Sequence, residues 1–196
     1  MGNLGSIRNM LLKIGAESTI TSDIETIESA DKLILPGVGA FDNAMHNLKE
    51  LGLIPTLNRQ VSEKKTPILG ICLGVQLFAK TSEEGTLPGL GWIDAHTVRF
   101  RFDADQAHLK LPHMGWNTVS IRQEHPIVKA MSEDARFYFV HTYHVRCSDE
   151  SNVLTTTSYG ITFHSAVVRD NIVGTQFHPE KSHKFGLRLL QNFVEA

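Results

Sequence analysis

The sequence predicts an α/β domain in which a mainly parallel central sheet lies between two layers of helices and carries additional antiparallel strands. Up to residue 80, short apolar segments alternate with segments whose apolar residues recur at helical spacing, a pattern typical of parallel sheets covered on both faces. After residue 81, short strand candidates follow one another with turns between them, which favours antiparallel pairing. No Pro-, Gly- or Ser-rich linker separates the halves, so residues 1–196 are expected to form one three-layer α/β/α domain.

The first predicted helix places Ile7, Leu11 and Ile14 on one face and ends before Gly15, a residue type favoured directly after helices. The strand at residues 32–35 is compact and apolar, and it ends at Pro36, which marks a turn. By the same criteria, further helices are predicted at residues 23–30, 41–51, 54–64, 75–80 and 184–194. Further strands are predicted at residues 18–21, 67–71, 97–102, 118–122, 136–141, 153–157, 165–169 and 172–177.

Composition and charge argue against several classes of protein. The 19 basic and 21 acidic residues give a formal charge of −2, so the chain lacks the basic excess of a protein that binds nucleic acid through charge alone. No segment approaches the ~18 consecutive apolar residues that cross a membrane. Residues 1–4 show no secretory signal, and two cysteines are too few for a disulfide scaffold, so a cytoplasmic location is expected. Cys147 is interpreted as a structural residue.

The sharpest local pattern is Gly70-Ile71-Cys72-Leu73-Gly74. An apolar strand ends, a cysteine follows at the turn and a helix begins at once, which is the nucleophile-elbow pattern with Cys in place of Ser. The N–H groups at the start of a helix favour a thiolate, and the Leu73 N–H is expected to face an oxyanion that forms beside the sulfur. The alternative at this point is a buried structural cysteine in a glycine-rich turn.

A cysteine nucleophile needs a base, and His178 is the best placed of the 10 histidines. It directly follows the predicted strand at 172–177, at the sheet edge where functional side chains gather in α/β proteins. Glu180 is positioned to accept a hydrogen bond from one ring nitrogen and so to fix the tautomer that faces the sulfur. A surface or structurally bonded histidine is the alternative, and only the combination with Cys72 favours a catalytic role.

Two further segments are candidates for contacts with a substrate. Gly37-Val38-Gly39 follows the strand at 32–35, and glycines there allow the backbone to approach a ligand and to point N–H groups at a developing negative charge. Gln76 lies one helical turn beyond Cys72, where its amide is placed to recognise a polar substrate. An ordinary loop and an ordinary helix residue are the alternatives for these two segments.

Together these segments resemble the class I glutamine amidotransferases. The Gly-x-Cys-x-Gly-x-Gln motif of that class appears at residues 70–76, and its His-Pro-Glu motif appears at residues 178–180. Within the class, the resemblance narrows to the glutaminase subunit of imidazole glycerol phosphate synthase, the HisH family. That resemblance rests on residues 35–41, 112–117, 137–143 and 178–182 and extends over the whole chain.

The resemblance implies a class I glutamine amidotransferase fold and an enzyme that hydrolyses glutamine to glutamate and ammonia. The implied catalytic triad is Cys72, His178 and Glu180. The implied oxyanion hole is formed by Leu73, Gly37, Val38 and Gly39, and the implied glutamine contacts are Gly39, Gln76, Thr142 and Tyr143. No metal and no organic cofactor is required, and the histidine pairs in the sequence lack the spacing of a recognised metal site.

The resemblance also implies a partner, a HisF-like (β/α)8-barrel synthase subunit that forms a heterodimer with this chain. The partner receives the ammonia through a channel and uses it to make imidazole glycerol phosphate and an aminoimidazole nucleotide in histidine biosynthesis. The residues nominated for the partner-facing surface are Asn3, Trp116, Asn117, Tyr138 and Lys181; core positions for the two rings are the alternative. Because the family's oxyanion loop is misaligned until the partner binds its ligand, the isolated chain is expected to be a poor glutaminase.

Two other functions stay open at this point. Near relatives supply ammonia to enzymes that aminate sugars in surface-polysaccharide synthesis, and their glutaminase residues would look the same. A non-catalytic thiol-sensing or binding module on this fold is less favoured, because the set of Cys72, His178 and Glu180 is intact.

The chain departs from the family at its start. Family members normally begin with an apolar strand that ends just before the Gly-Asn found here at positions 2 and 3. The sequence therefore predicts a sheet without that strand, with unpaired backbone groups and apolar surface exposed beside it.

Overall fold

The computed structural model describes residues 4–106 and 108–196. The helices are α1 (Leu4–Lys13), α2 (Ile24–Glu28), α3 (Phe41–Glu50), α4 (Leu53–Asn58), α5 (Leu73–Leu77) and α6 (His183–Glu195). The strands are β1 (Leu33–Gly37), β2 (Ile68–Cys72), β3 (Thr81–Ser82), β4 (Ala95–Arg99), β5 (His113–Thr118), β6 (Ser120–Ile121), β7 (Arg136–His141), β8 (Tyr143–Cys147), β9 (Val153–Tyr159), β10 (Ile161–Arg169) and β11 (Ile172–Thr175).

The main sheet has six strands in the order β1-β2-β11-β10-β9-β6. β1, β2 and β11 run parallel to one another, whereas the pairs β11–β10, β10–β9 and β9–β6 are antiparallel. The register aligns Gly37 with Cys72 and Ile71 with Thr175. The carboxyl ends of the three parallel strands therefore meet at one edge, and the mixed sheet confirms the predicted combination of parallel and antiparallel strands.

Two apolar clusters hold the helices against opposite faces of the main sheet. Leu11 of α1 and Phe193 of α6 pack in one cluster with Leu69 of β2. Phe41 of α3 packs in the other cluster with Ile68, the preceding residue of β2. Since successive side chains of a strand point to opposite faces, β2 lies between two layers of helices, as the α/β/α prediction requires.

Two smaller sheets adjoin the main one, with the orders β3-β4-β8 and β5-β7. β7 contacts the segment after β11, because the Tyr138 carbonyl accepts the N–H of His178 at 2.9 Å. Among the helices in the described ranges, none is long and apolar enough to cross a membrane.

β1 forms one outer edge of the main sheet, and a groove of about 750 Å³ lies beside it. Apolar residues from the helices and from the strand line the groove, among them Leu11, Ile34 and Phe193. The strand predicted at residues 18–21 is wrong, because residues 16–23 have no regular structure and Ile20 is 53% exposed. The absence of a strand beside β1, expected from the resemblance, stays a prediction.

Other differences from the predicted elements occur where strand pairing depends on distant residues. β5 is not predicted, although it pairs with β7 over all six of its residues; its apolar side chains Met114 and Trp116 point to solvent and hide the usual pattern. The strand predicted at 118–122 reduces to β6. β8 is also not predicted. The helix predicted at 54–64 is α-helical in α4 and continues as a π-helix at Arg59–Glu63.

Candidate active site

Cys72 stands where β2 ends and α5 begins. Its backbone has φ 55° and ψ −108°, and residues other than glycine rarely adopt a positive φ. The flanking glycines are required by close contacts: a Cβ at Gly70 would lie 2.6 Å from the Phe78 ring, and one at Gly74 would overlap the Leu35 carbonyl oxygen. The turn therefore needs glycine on both sides of the cysteine.

His178 and Glu180 form a buried pair in the segment that follows β11. His178 Nδ1–H donates to Glu180 Oε1 at 2.8 Å, and their side chains are 3% and 1% exposed. This bond leaves Nε2 as the free ring nitrogen, without a hydrogen-bond partner in the described part of the chain. The backbone of His178 is fixed as well, since Ser182 Oγ donates to its carbonyl at 2.6 Å.

The protonation of His178 depends on Cys72. Burial on its own lowers the pKa of His178, but the interactions with the nearby Cys72 sulfur and with the Glu180 carboxylate outweigh burial and raise that pKa to about 9. Burial alone, by contrast, lowers the pKa of His113 to about 4. Because a protonated imidazole next to a sulfur favours the thiolate, the arrangement suits a cysteine nucleophile with a histidine acid and base.

The predicted oxyanion loop lies directly beside this turn. Gly37 is opposite Cys72 in the β1–β2 register, and a Cβ at Gly37 would lie 2.9 Å from Leu73 Cβ. Gly39 has φ +101°, which other residues rarely adopt, and Val38 between the two glycines is 40% exposed. The four predicted oxyanion residues are therefore neighbours. Leu73 is buried, whereas Val38 and Gly39 of the loop are exposed to solvent.

The predicted glutamine contacts also gather at this edge. Gln76 is buried, and its Nε2 donates to the Tyr143 carbonyl at 2.9 Å and to Gln176 Oε1 at 3.1 Å. Thr142 and Tyr143 are half-buried at the junction of β7 and β8. In this structure Gln76 therefore contacts its own chain with both amide hydrogens, and its role in binding glutamine stays a prediction.

Comparisons with known proteins identify the family. The profile of the family "Glutamine amidotransferase class-I" matches residues 2–196. The chain belongs to that family. It is 55% identical to imidazole glycerol phosphate synthase subunit HisH 2 of Methanococcus maripaludis over 195 residues, which cover 100% of this chain and 95% of that protein. It is 51% identical to subunit HisH 2 of Pseudomonas aeruginosa, with the same coverage. This class-I amidotransferase is therefore a member of the HisH group.

Solved structures show the same fold. One, described as a glutamine amidotransferase, superimposes with a TM-score of 0.74 at 21% identity over 99% of this chain and 93% of its own. Another glutamine amidotransferase, from Thermotoga maritima, gives a TM-score of 0.66 at 14% identity over 96% of this chain and 90% of its own. The predicted class I glutamine amidotransferase fold is confirmed.

An exposed aromatic surface adjoins the candidate triad of the amidotransferase. Trp116, 45% exposed, lies opposite Tyr138 in the β5–β7 pair. Lys181 Nζ lies 5.5 Å from the centre of the Tyr138 ring, and the His183 ring stacks on Trp116 at 5.4 Å. We call these four residues the aromatic patch. Tyr138 also forms a β-bridge with His178, so the patch is directly connected to the candidate base.

The two asparagines nominated for the partner surface differ from the patch residues. Asn117 is engaged within the chain, since its Nδ2 donates to the Ser158 carbonyl at 2.9 Å and its Oδ1 accepts the Thr118 N–H at 2.9 Å. Asn3 lies outside the described residues.

The remaining cysteine and the histidines form no second reactive centre. Cys147 is buried, and burial, followed by nearby Glu150, raises its pKa to about 12, which agrees with a structural role. Within residues 4–106 and 108–196, no group of three or more His, Cys, Asp or Glu side chains is arranged to hold a metal ion.

One residue of the candidate site, Gln176, is not predicted from the sequence. It directly follows β11, and its side-chain nitrogen lies 3.8 Å from the Cys72 sulfur. The one available signal was its position, two residues before His178.

Proposed function

We propose that this chain is the glutaminase subunit of an imidazole glycerol phosphate synthase and that Cys72 is its nucleophile. The observation that carries the proposal is the buried His178–Glu180 pair, which leaves Nε2 free on a histidine coupled to Cys72. Membership of the class-I amidotransferases supplies the substrate, glutamine.

The geometry supports a two-step hydrolysis. The Cys72 thiolate attacks the side-chain carbonyl carbon of glutamine, and the oxyanion is held by the Leu73 N–H and by an N–H of the 37–39 loop. His178 donates its Nε2 proton to the departing ammonia, which leaves a glutamyl thioester on the sulfur. Neutral His178 then takes a proton from the water that attacks the thioester, and glutamate leaves as the thiolate forms again. Glu180 keeps Nδ1–H bonded in both steps, so Nε2 remains the reacting nitrogen.

The nucleophile is tested with a diazo-ketone analogue of glutamine, which alkylates an activated cysteine. The expected result is one adduct on Cys72, together with the loss of glutamine hydrolysis in Cys72→Ser. Cys147→Ser is the matched control, because Cys147 is also buried and the Nδ1 of its neighbour His164 is occupied by the Cys147 backbone N–H; this variant should be labelled normally. Glutamine turnover retained by Cys72→Ser would remove Cys72 from the mechanism.

We further propose that the aromatic patch binds a HisF-like (β/α)8-barrel synthase subunit, which receives the ammonia in the cytoplasm. Supporting this, the patch combines an exposed Trp with a cation over a Tyr ring, and aromatic residues are enriched at the centres of protein interfaces. The bridge between Tyr138 and His178 also supports the proposal, because a partner bound at the patch would lie next to the candidate base.

The partner is tested by measuring ammonia release with and without the barrel subunit plus its nucleotide. The isolated chain should be a poor glutaminase, and the complete complex should be active. Trp116→Ala should weaken binding of the partner by about tenfold or more, whereas Leu51→Ala, at an exposed apolar residue just after α3, should leave binding unchanged. Full activity of the isolated chain, or activation by a sugar-aminating enzyme and not by the barrel subunit, would contradict the proposal.

A further inference from the structure

Gln176 lies directly beside the candidate nucleophile, and the mechanism above does not use it. β2 and β11 are adjacent parallel strands with Ile71 opposite Thr175, so the next residues, Cys72 and Gln176, leave the sheet side by side. The Gln176 side chain is buried, and its Nε2 approaches the Cys72 sulfur to 3.8 Å, within the range of an N–H···S hydrogen bond.

The orientation of the Gln176 amide is fixed by a chain of contacts that begins at a backbone carbonyl. The Tyr143 carbonyl can only accept hydrogen bonds, so the group that Gln76 turns toward it at 2.9 Å must be its NH2. The second hydrogen of the same NH2 faces Gln176 at 3.1 Å, which requires the Gln176 oxygen there. The Gln176 NH2 must then face the sulfur.

Val140 and Gln176 both contact the sulfur, and their polar groups favour opposite protonation states. The Val140 carbonyl, 4.0 Å from Sγ, can accept a hydrogen bond from a thiol, whereas the Gln176 N–H can donate one to a thiolate. A donor held in place before the reaction needs no reorganisation when the charge forms. The Gln176 donor therefore complements His178, because it stabilises the sulfur anion without supplying a proton.

We propose that Gln176 is a further catalytic residue, whose side-chain N–H donates to the reacting Cys72 sulfur and stabilises its thiolate. Gln76 is then a positioning residue that acts through Gln176, since it determines which end of the Gln176 amide faces the sulfur. The contribution to turnover rests on the proposed glutaminase function, but the effect on the sulfur itself does not.

The experiment measures the rate at which iodoacetamide alkylates Cys72 as a function of pH, with the modified residue located by mass spectrometry. Gln176→Met retains the length of the side chain and removes the donor, and Gln176→Glu places an acceptor oxygen in its position. Both variants should move the midpoint of the alkylation profile to higher pH, with alkylation at pH 7 slower by about tenfold, the lower end of what a hydrogen bond to a charged group contributes. Glu should have the larger effect, because it adds a negative charge.

Gln60→Met is the matched control. Gln60 is another buried glutamine, and its Nε2 donates to the Glu28 carbonyl far from the sulfur, so its variant should keep the wild-type profile. Equal shifts in the Gln60 and Gln176 variants, or wild-type profiles in both Gln176 variants, would overturn the proposal. If the Gln176 variants do not fold, Gln76→Met decides: a shift to higher pH supports the proposal, and an unchanged profile overturns it.

Alkylation needs neither glutamine nor a partner, so it separates this proposal from the glutaminase function. Active wild-type glutaminase with unshifted alkylation profiles would overturn the role of Gln176 alone. Full glutaminase activity in Cys72→Ser would overturn the glutaminase mechanism, whatever the alkylation profiles show.

Discussion

Acid should destabilise this protein through histidines that the fold buries in the uncharged form. His113 and His144 are both buried against Phe100, with ring centres 6.3 Å and 4.7 Å from it. Burial lowers the pKa of each to about 4, from 6.5 in the unfolded chain. The unfolded state therefore binds more protons than the native state between pH 6.5 and pH 4, and the free energy of unfolding falls as the pH is lowered through that range.

The size of the effect follows from the two pKa values. At pH 5, the shift of a single histidine from 6.5 to 4 lowers the free energy of unfolding by about 2 kcal/mol. The two histidines together should cost about 4 kcal/mol between pH 7 and pH 5. Burial also lowers the pKa of His141, which adds to the effect. His178 opposes it by less than about 1 kcal/mol over this interval, because its raised pKa of about 9 contributes stability that is lost only as the pH rises.

The assay is denaturant unfolding at pH 7, 6 and 5 at constant ionic strength. His144→Gln removes one of the buried titrating groups, so the fall in free energy between pH 6 and pH 5 should be smaller by about 1 kcal/mol than in the wild type. His46→Gln is the control, since the His46 side chain is 64% exposed on α3. A wild-type free energy that does not change from pH 7 to pH 5, or identical pH dependences in the two variants, would refute the reasoning.

Two further predictions concern packing and the open edge of the sheet. Gly186→Ala should destabilise the fold by about 2 kcal/mol or more in the same unfolding assay, because a Cβ there would overlap the Pro179 carbonyl. Gly5→Ala is the control, since a Cβ at this helical glycine would have nothing within 4 Å, and it should be neutral or stabilising. Equal losses of stability in the two variants would contradict this explanation. The Ile34 amide should exchange with solvent much faster than that of Leu33, because Leu33 N–H donates to the Pro67 carbonyl on the β2 side and alternate amides of a strand point the other way. Equal protection of the two amides in a hydrogen-exchange measurement would show that another segment pairs with β1.

The features predictable from the sequence are those determined by contacts between near neighbours. The need for glycine around Cys72 arises within one strand-turn-helix unit, where Gly70 packs against Phe78 only eight residues away. The His178–Glu180 hydrogen bond likewise spans two residues. Three of the four residues of the aromatic patch, Trp116, Tyr138 and Lys181, are predicted from motifs, whereas His183 is not; strand pairing brings Trp116 and Tyr138 together.

The features missed depend on contacts between distant parts of the chain. β5 is a strand because it pairs with β7, whose residues lie 18 to 28 positions later in the chain. The segment at residues 18–21 has suitable strand residues but does not adopt a strand. Gln176 could not be predicted either. Its orientation depends on Gln76 and on the Tyr143 carbonyl, and no local pattern relates these three residues.

The backbone around the candidate catalytic residues is more firmly hydrogen-bonded than the backbone of the 37–39 loop. Cys72, Gln176 and His178 extend from strands or turns that are buried and bonded on both sides, with Gln176 N–H donating to the Ser165 carbonyl and His178 N–H to Tyr138. The 37–39 loop extends instead from β1, whose ladder within the described residues runs to β2 alone, and Val38 is exposed at its tip. An edge strand with one bonded neighbour resists displacement less than a central one, so the 37–39 loop, the predicted oxyanion loop, is the part of the candidate site that can be realigned at least cost. A poor glutaminase that becomes active in its complex is the behaviour that this asymmetry favours.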